Sequence, residues 1–95
     1  MKVDDAVANA FLREGTTDVF GLLGDSQMTW WAAMSAAGTR MIDARDEGAA
    51  LAMADGWARA RGKVGVCSVT HGPGVSRLAT SLIMGARYRM PLVVH

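Results

Sequence analysis

The segment that decides the fold reads Val64-Gly65-Val66-Cys67-Ser68-Val69-Thr70, followed by His71-Gly72-Pro73-Gly74. Its first part is β-branched and apolar on both faces, which predicts a strand buried within a sheet. Its second part breaks that strand with two glycines. The proline suits the first turn of a helix, where its missing N–H costs nothing. The segment therefore predicts a buried strand, a tight loop and a helix in succession.

The same alternation extends outward to both ends of the chain. Further short strands are predicted at residues 19–23, 40–44 and 91–94, and a helix is predicted at residues 28–37. Gly62 is predicted to end the helix before the central strand. Three other helices are predicted from apolar residues at i, i+3, i+4 spacing. Their predicted buried faces are Val3, Ala6, Val7, Ala10 and Phe11; Ala49, Ala52, Met53, Gly56, Trp57 and Ala60; and Val75, Leu78, Ala79, Leu82, Ile83 and Ala86.

Helices that alternate with strands apolar on both faces predict an α/β fold, a doubly wound parallel sheet with helices on both faces. Right-handed crossovers are expected between the strands. Because a strand lies next to the last residue, His95, residues 1–95 are interpreted as one domain truncated at its C-terminal end. A small, complete four-stranded domain is the alternative.

The composition excludes several classes of protein. Hydrophobic residues make up 51% of the chain and charged residues 20%, which argues against intrinsic disorder. The 10 basic and 9 acidic residues are scattered, so no nucleic-acid partner is expected. No apolar run approaches the roughly 20 residues that span a membrane, and the N-terminus lacks the apolar core of a signal peptide. We therefore expect a soluble, cytoplasmic protein with no membrane partner.

Polar residues gather in three loops that follow strands, namely 24–26, 44–48 and 71–74. Ligands of an open parallel sheet bind beyond the carboxyl ends of its strands, so these loops form the predicted site. Glu47 lies in the first turn of a helix beside small apolar residues. Partial desolvation there lets a carboxyl group share a proton with a ligand. Asp25 and His71 are the other candidates for proton transfer.

Each candidate also has a purely structural interpretation. An acid in a first turn, such as Glu47, favours the helix dipole by roughly 0.3–1 kcal/mol and can cap the backbone. Asp25 can form an Asx-turn, or share a helix N-cap with Ser26. His71 can be a satisfied loop histidine. The single cysteine, Cys67, lies mid-strand and is interpreted as core packing, and no metal site is predicted within this chain. Neither a Gly-x-Gly-x-x-Gly fingerprint nor a P-loop lysine is present.

Taken in order, these segments resemble the N-terminal pyrimidine-binding domain of thiamine-diphosphate-dependent enzymes. That group includes acetolactate synthase, pyruvate oxidase and the 2-oxo acid decarboxylases. The resemblance covers nearly the whole chain and is most specific where Arg-x-Glu-x-x-Ala leads into Ala-Asp-Gly-aromatic-Ala-Arg. The segments that carry it are residues 19–25, 45–50, 54–60, 65–74 and 91–94.

The resemblance implies roles for individual residues. Glu47 matches the glutamate that activates the cofactor by a hydrogen bond to its aminopyrimidine ring. Asp25 matches a position where pyruvate decarboxylases carry an acid and acetolactate synthases a glycine, which implies a proton relay to the reaction intermediate. His71 stands beside it as a further catalytic candidate. The residues expected to line the cofactor and substrate pocket are Gly24, Gly72, Pro73 and Gly74.

The resemblance also implies cofactors and partners. Thiamine diphosphate is expected, with Mg²⁺ held by a domain absent from this chain, and the substrate is expected to be a small 2-oxo acid. The implied reaction is decarboxylation or an acetolactate-synthase-like carboligation. The active site is expected between subunits of a homodimer or homotetramer. The fragment alone is then inactive and exposes apolar surface.

Four residues depart from the family pattern and leave the substrate open: Leu23 replaces a proline, Asp46 a histidine, His71 a serine and Arg77 an asparagine. Two other hypotheses stand beside the enzyme. One is a non-catalytic relative of the same fold that serves regulation or subunit interaction. The other is an unrelated doubly wound module that binds a nucleotide or a flavin.

Overall fold

The sheet is parallel throughout, as the alternation predicts. A computed structural model describes residues 2–95 of the chain. Its strands are β1 (Asp18–Gly21), β2 (Arg40–Asp43), β3 (Gly65–Ser68) and β4 (Leu92–Val94). They run in the order β2-β1-β3-β4, and each neighbouring pair is parallel. The first strand thus lies inside the sheet, which confirms the predicted doubly wound arrangement.

Helices cover both faces of this sheet. They are α1 (Val3–Arg13), α2 (Met28–Ala36), α3 (Glu47–Arg61), α4 (Pro73–Ser76) and α5 (Ala79–Arg87). Val19 and Val66 pack in one apolar cluster with residues of α1 and α2, whereas Phe20 and Cys67 pack in a second cluster with residues of α3. Successive residues of a strand point to opposite faces, so a separate core forms on each face. Within residues 2–95, no helix has the length and apolar character needed to cross a membrane.

The helix α3 begins and ends where the sequence predicts. The Asp46 side chain accepts a hydrogen bond from the Ala49 N–H at 3.2 Å and caps the first turn. Gly62 ends the helix with a φ of +64°, a left-handed conformation that glycine adopts without steric cost. Gly65 then lets the helix approach the sheet closely, because a Cβ there would lie 2.5 Å from the carbonyl oxygen of Ala54.

The predicted buried face of α3 is wrong. The buried residues of this helix are Ala50, Leu51, Ala54, Asp55 and Ala58. Within the predicted set, Trp57 is half-buried and the exposed residues are Ala49, Ala52, Met53, Gly56 and Ala60. Alanine occupies every side of the helix, so spacing alone does not distinguish its faces. The packing of Leu51 and its small neighbours against Phe20 and Cys67 decides which face is buried.

Two other helical faces also differ from prediction. In α1 the buried residue is Ala8, while Val7 and Phe11 are half-buried and Val3, Ala6 and Ala10 are exposed. The predicted fourth helix is divided into α4 and α5 by a turn at residues 77–78. Of its predicted buried face only Leu78 is buried, and the exposed residues are Val75, Ala79, Leu82, Ile83 and Ala86. The helix α5 instead meets β4 through Gly85, where a Cβ would lie 2.7 Å from Leu92 Cδ1.

Candidate active site at the carboxyl edge of the sheet

Direct hydrogen bonds join the loops after β1 and β3. Ser26 Oγ lies 2.9 Å from Thr70 Oγ1, and the His71 N–H donates to Ser26 Oγ at 3.2 Å. The loops also touch at Gly24, where a Cβ would lie 2.5 Å from Thr70 Cβ. This close approach accounts for a glycine at residue 24. The predicted role of Gly24 in cofactor binding stays a prediction.

Glu47 brings the loop after β2 to the same place. It is the first residue of α3, and its half-buried carboxylate has no hydrogen-bond or ion-pair partner within residues 2–95. The cap is Asp46, so the backbone-capping interpretation does not apply to Glu47. A Cβ on the buried Gly74 would lie 3.5 Å from Glu47 Oε2. The carboxylate therefore lies beside a part of the third loop that carries no side chain.

Two bonds tie the start of α3 to the α4–α5 segment. Arg77 Nη1 donates to Asp46 Oδ1 at 3.2 Å, and Ser81 Oγ donates to the Gly48 carbonyl at 2.7 Å. Asp46 and Arg77, which the resemblance marks as two departures from the expected pattern, form an ion pair with each other. Sequence analysis did not predict this pairing, since nothing in either loop alone indicates it. The contacts hold Glu47 between two anchored neighbours.

Asp25 is exposed and begins the 3₁₀ turn Asp25–Gln27. Its carboxylate has no hydrogen-bond partner among the described residues, and the N-cap position of the turn is Gly24, with no side-chain cap. The Asx-turn and N-cap interpretations are therefore not observed. The carboxylate remains free to act on a ligand, which is the condition that its predicted role requires.

The loop 71–74 has the backbone that its sequence predicts. Gly72 has a φ of +67°, which favours glycine, and Pro73 is the first residue of α4. The exposed His71 ring lies with its Nδ1 3.4 Å from Thr70 Oγ1. His71 therefore sits at the same edge as the carboxylates. The structure fixes its place, and its catalytic role stays a prediction.

Cys67 behaves as the core residue that was predicted. It is fully buried, and burial raises the pKa of its thiol to about 12. A thiol with so little thiolate is a poor nucleophile at neutral pH. Within residues 2–95, no three His, Cys, Asp or Glu side chains gather as a metal site would need.

Sequence analysis missed one buried polar residue beneath the first loop. Gln27 is 2% exposed and hydrogen-bonds to Gly24, Leu22 and Ser68. The only signal in the sequence is an amide placed between the loop residue Ser26 and an apolar helix.

Sequence comparison assigns the family. Residues 1–94 match the family described as "Thiamine pyrophosphate enzyme, N-terminal TPP binding domain". This chain belongs to the thiamine pyrophosphate enzyme family. The resemblance drawn from the loops is thereby confirmed. The chain matches only a small part of the length of its relatives in this thiamine pyrophosphate enzyme family.

Relatives in the thiamine pyrophosphate enzyme family are named for several different activities. It is 36% identical over 89 residues to the "Probable 2-ketoarginine decarboxylase" of Pseudomonas aeruginosa, covering 94% of this chain and 16% of that protein. It is 31% identical over 94 residues to the sulfoacetaldehyde acetyltransferase of Castellaniella defragrans, covering 99% and 16%. It is 36% identical over 91 residues to the acetolactate synthase isozyme 3 large subunit of Escherichia coli, covering 95% and 16%. The chain spans 16% of the length of each of these relatives.

Solved structures agree with the family. A protein described as a thiamin diphosphate-dependent enzyme from Mycobacterium smegmatis superposes with a TM-score of 0.87 at 29% identity, covering 99% of this chain and 18% of that one. Benzoylformate decarboxylase from Polynucleobacter necessarius has a TM-score of 0.86 at 21% identity, with the same coverage of 99% and 18%. The second likeness shows the fold alone.

Proposed function

We propose that this chain supplies the cofactor-activating half of a thiamine-diphosphate-dependent enzyme that acts on 2-oxo acids by decarboxylation or carboligation. The observation that carries the proposal is the environment of Glu47. Its carboxylate is half-buried, has no partner among the described residues, and lies beside Gly74, where a Cβ would stand 3.5 Å from Oε2. A carboxyl group kept free in a half-buried position is suited to form a hydrogen bond with a ligand nitrogen and to share a proton with it.

The donor set fits the aminopyrimidine of thiamine diphosphate. The part of the loop beside Glu47 carries no side chain, so a flat ring meets no obstacle from Gly74. When bound, thiamine diphosphate supplies the electron sink for carbon–carbon bond chemistry. The chain contributes a proton held at a Glu47 carboxyl oxygen. The Asp46 cap and the Arg77 ion pair hold the backbone at the start of α3, from which the Glu47 side chain extends.

Asp25 is the second group that we assign to proton transfer. Its exposed carboxylate has no partner among residues 2–95, and its neighbour Ser26 is bonded to the loop that contains His71. A free carboxylate on an anchored turn suits a proton relay to substrate, and it favours a decarboxylase-like reaction. We assign His71 as a further group for proton transfer or substrate contact. A non-catalytic relative of the same fold is the alternative.

The remaining parts of the site must come from outside this chain. Because the chain spans 16% of its relatives' length, we propose that residues 1–95 are one truncated domain of a longer protein. Another domain of that protein holds Mg²⁺ and the diphosphate. We further propose a homodimer or homotetramer. Its support is a set of exposed apolar residues in α4, in α5 and just after α5, namely Val75, Leu82, Ile83, Met84 and Tyr88. The buried, unpaired Cys67 is consistent with a reducing compartment such as the cytoplasm.

The test is Glu47→Gln in the complete enzyme, with Glu14→Gln as the matched control. Glu14 is the other glutamate of the chain and is exposed at the end of α1. We expect Glu47→Gln to lower kcat at least about 100-fold, as for loss of a general acid–base group, with an unchanged melting temperature. The Glu14→Gln enzyme should match wild type. Wild-type turnover in Glu47→Gln would reject the proposed function. A separate measurement, the intact mass of the native polypeptide, tests whether the protein is longer than these 95 residues.

A further inference from the structure

A buried amide lies directly under the turn that carries Asp25. Gln27 Oε1 accepts a hydrogen bond from the Gly24 N–H at 3.2 Å, and Gln27 Nε2 donates to the Leu22 carbonyl at 3.0 Å. Through these two hydrogen bonds the Gln27 side chain links the backbone at both Leu22 and Gly24 to residue 27. They also fix the orientation of the amide, because the Gly24 N–H can only donate and the Leu22 carbonyl can only accept.

The remaining N–H of this amide reaches into the sheet. Gln27 Nε2 lies 3.3 Å from Ser68 Oγ, and Ser68 Oγ lies 3.3 Å from His95 Nδ1. Since Ser68 accepts from Gln27, its own O–H is available to donate to His95 Nδ1, which requires the neutral histidine with its proton on Nε2. Burial lowers the pKa of His95 and favours that neutral form.

His95, the last member of this hydrogen-bond network, is held by packing and by backbone hydrogen bonds. The His95 ring stacks on Trp30 with 4.0 Å between centroids, and its backbone continues the sheet through hydrogen bonds with Cys67 and Val69. Gln27 and Ser68 are both buried, at 2% and 0% exposure. Directional bonds in such an environment hold geometry more firmly than apolar contacts do.

We propose that Gln27 is a positioning residue that, with Ser68 and His95, holds the 22–27 loop so that the Asp25 carboxylate is presented at the active site. The inference rests on the proposed function, in which Asp25 relays a proton. Asp25 is anchored on both sides, by Gln27 through Gly24 and by Ser26 through Thr70. Its own carboxylate is left free, so the network fixes the backbone and not the reacting group.

The experiment places Gln27→Leu in the complete enzyme, alone and combined with Asp25→Asn. We expect Gln27→Leu to lower kcat about 10-fold or more, since misplacement by about 1 Å costs on that scale or beyond. It should also shift the limb of the kcat–pH profile that Asp25→Asn removes. In the Asp25→Asn background, Gln27→Leu should cause no further loss. Hydrogen exchange of the Gly24 amide, measured without cofactor, should become faster in Gln27→Leu.

Two further variants keep the test decisive if Gln27→Leu does not fold. Gln27→Glu retains the acceptor for Gly24 and loses both donors, and Ser68→Ala cuts the link to His95. Each should reproduce the kcat loss and the pH shift. The control is Ser35→Ala, an exposed serine on α2, which should leave kcat unchanged.

The outcomes separate this inference from the proposed function. Equal kcat losses in the two Asp25 backgrounds, or normal kcat in Asp25→Asn, overturn the positioning role. An inactive Glu47→Gln enzyme together with an unaffected Gln27→Leu enzyme rejects the positioning role alone. A fully active Glu47→Gln enzyme instead rejects the proposed function itself.

Discussion

One added methyl group at Gly74 should weaken cofactor binding without unfolding the protein. Gly74 has no positive φ, so alanine can adopt its backbone conformation. The new Cβ would lie 3.1 Å from Thr70 Cγ2 and 3.5 Å from Val69 Cβ, so only the Thr70 side chain must shift, by a few tenths of an ångström. Overpacking costs about 1–3 kcal/mol, and replacing a helical glycine by alanine returns roughly 0.5–1 kcal/mol. Because a single side chain gives way, the overpacking cost lies at the low end of its range, and we expect a net destabilisation of about 0–0.5 kcal/mol.

The same Cβ acts differently on Glu47. It would stand 3.5 Å from Oε2, on the side from which we propose that the ligand approaches. A hydrogen bond to a charged group contributes about 1.5–3 kcal/mol. Losing it weakens binding by about 10- to 100-fold. The expected loss of cofactor affinity in Gly74→Ala is therefore larger than its small loss of folding stability can explain.

The assay is calorimetric titration of the complete enzyme with thiamine diphosphate and Mg²⁺, next to thermal unfolding without cofactor. Gly56→Ala is the matched control, since a Cβ on Gly56 meets no atom within 4 Å. Its affinity and melting temperature should equal or exceed those of wild type. If Gly74→Ala binds thiamine diphosphate as tightly as wild type, the space beside Glu47 is not the binding surface and the reasoning fails.

Two more expectations follow from buried groups. Burial raises the pKa of Cys67 from 9.0 to about 12, so at pH 8 we expect labelling by a thiol reagent to be about a thousand-fold slower in folded than in unfolded protein; comparable rates would refute this. Burial lowers the pKa of His95 below 6.5, opposed by the nearby Asp4, so the unfolded chain binds more protons below pH 6.5. The free energy of unfolding should therefore fall as the pH drops below 6.5 towards the folded pKa. His95→Gln should remove that part of the slope in urea unfolding measured across this range, and an identical slope in both proteins would contradict the prediction.

Local sequence was sufficient for the fold class and for both ends of α3. Val66 and Cys67 are apolar on adjacent positions, which in a strand means burial on both faces, and the sheet is indeed covered on both. Glu47 lies in the first turn of α3 and Gly62 ends the helix, as predicted. Such signals are reliable because they act within a few residues of chain.

Helix orientation was less predictable because it depends on contacts distant in sequence. α3 carries alanine on all sides, and the position of Leu51 against Phe20 determines its buried face. The same limit applied to the candidate site. The three loops were found from the order of strands, whereas the buried Gln27 and the Asp46–Arg77 pair depend on partners that only the folded chain brings together.

The Asp46–Arg77 pair has a consequence for anyone who alters this protein. Two charged residues that lie 31 positions apart in the sequence meet beside Glu47, one just before α3 and the other between α4 and α5. A library that randomises one loop at a time leaves an unmatched charge in nearly every member. Exchanging the two residues together, as a pair, preserves the match of charge beside Glu47.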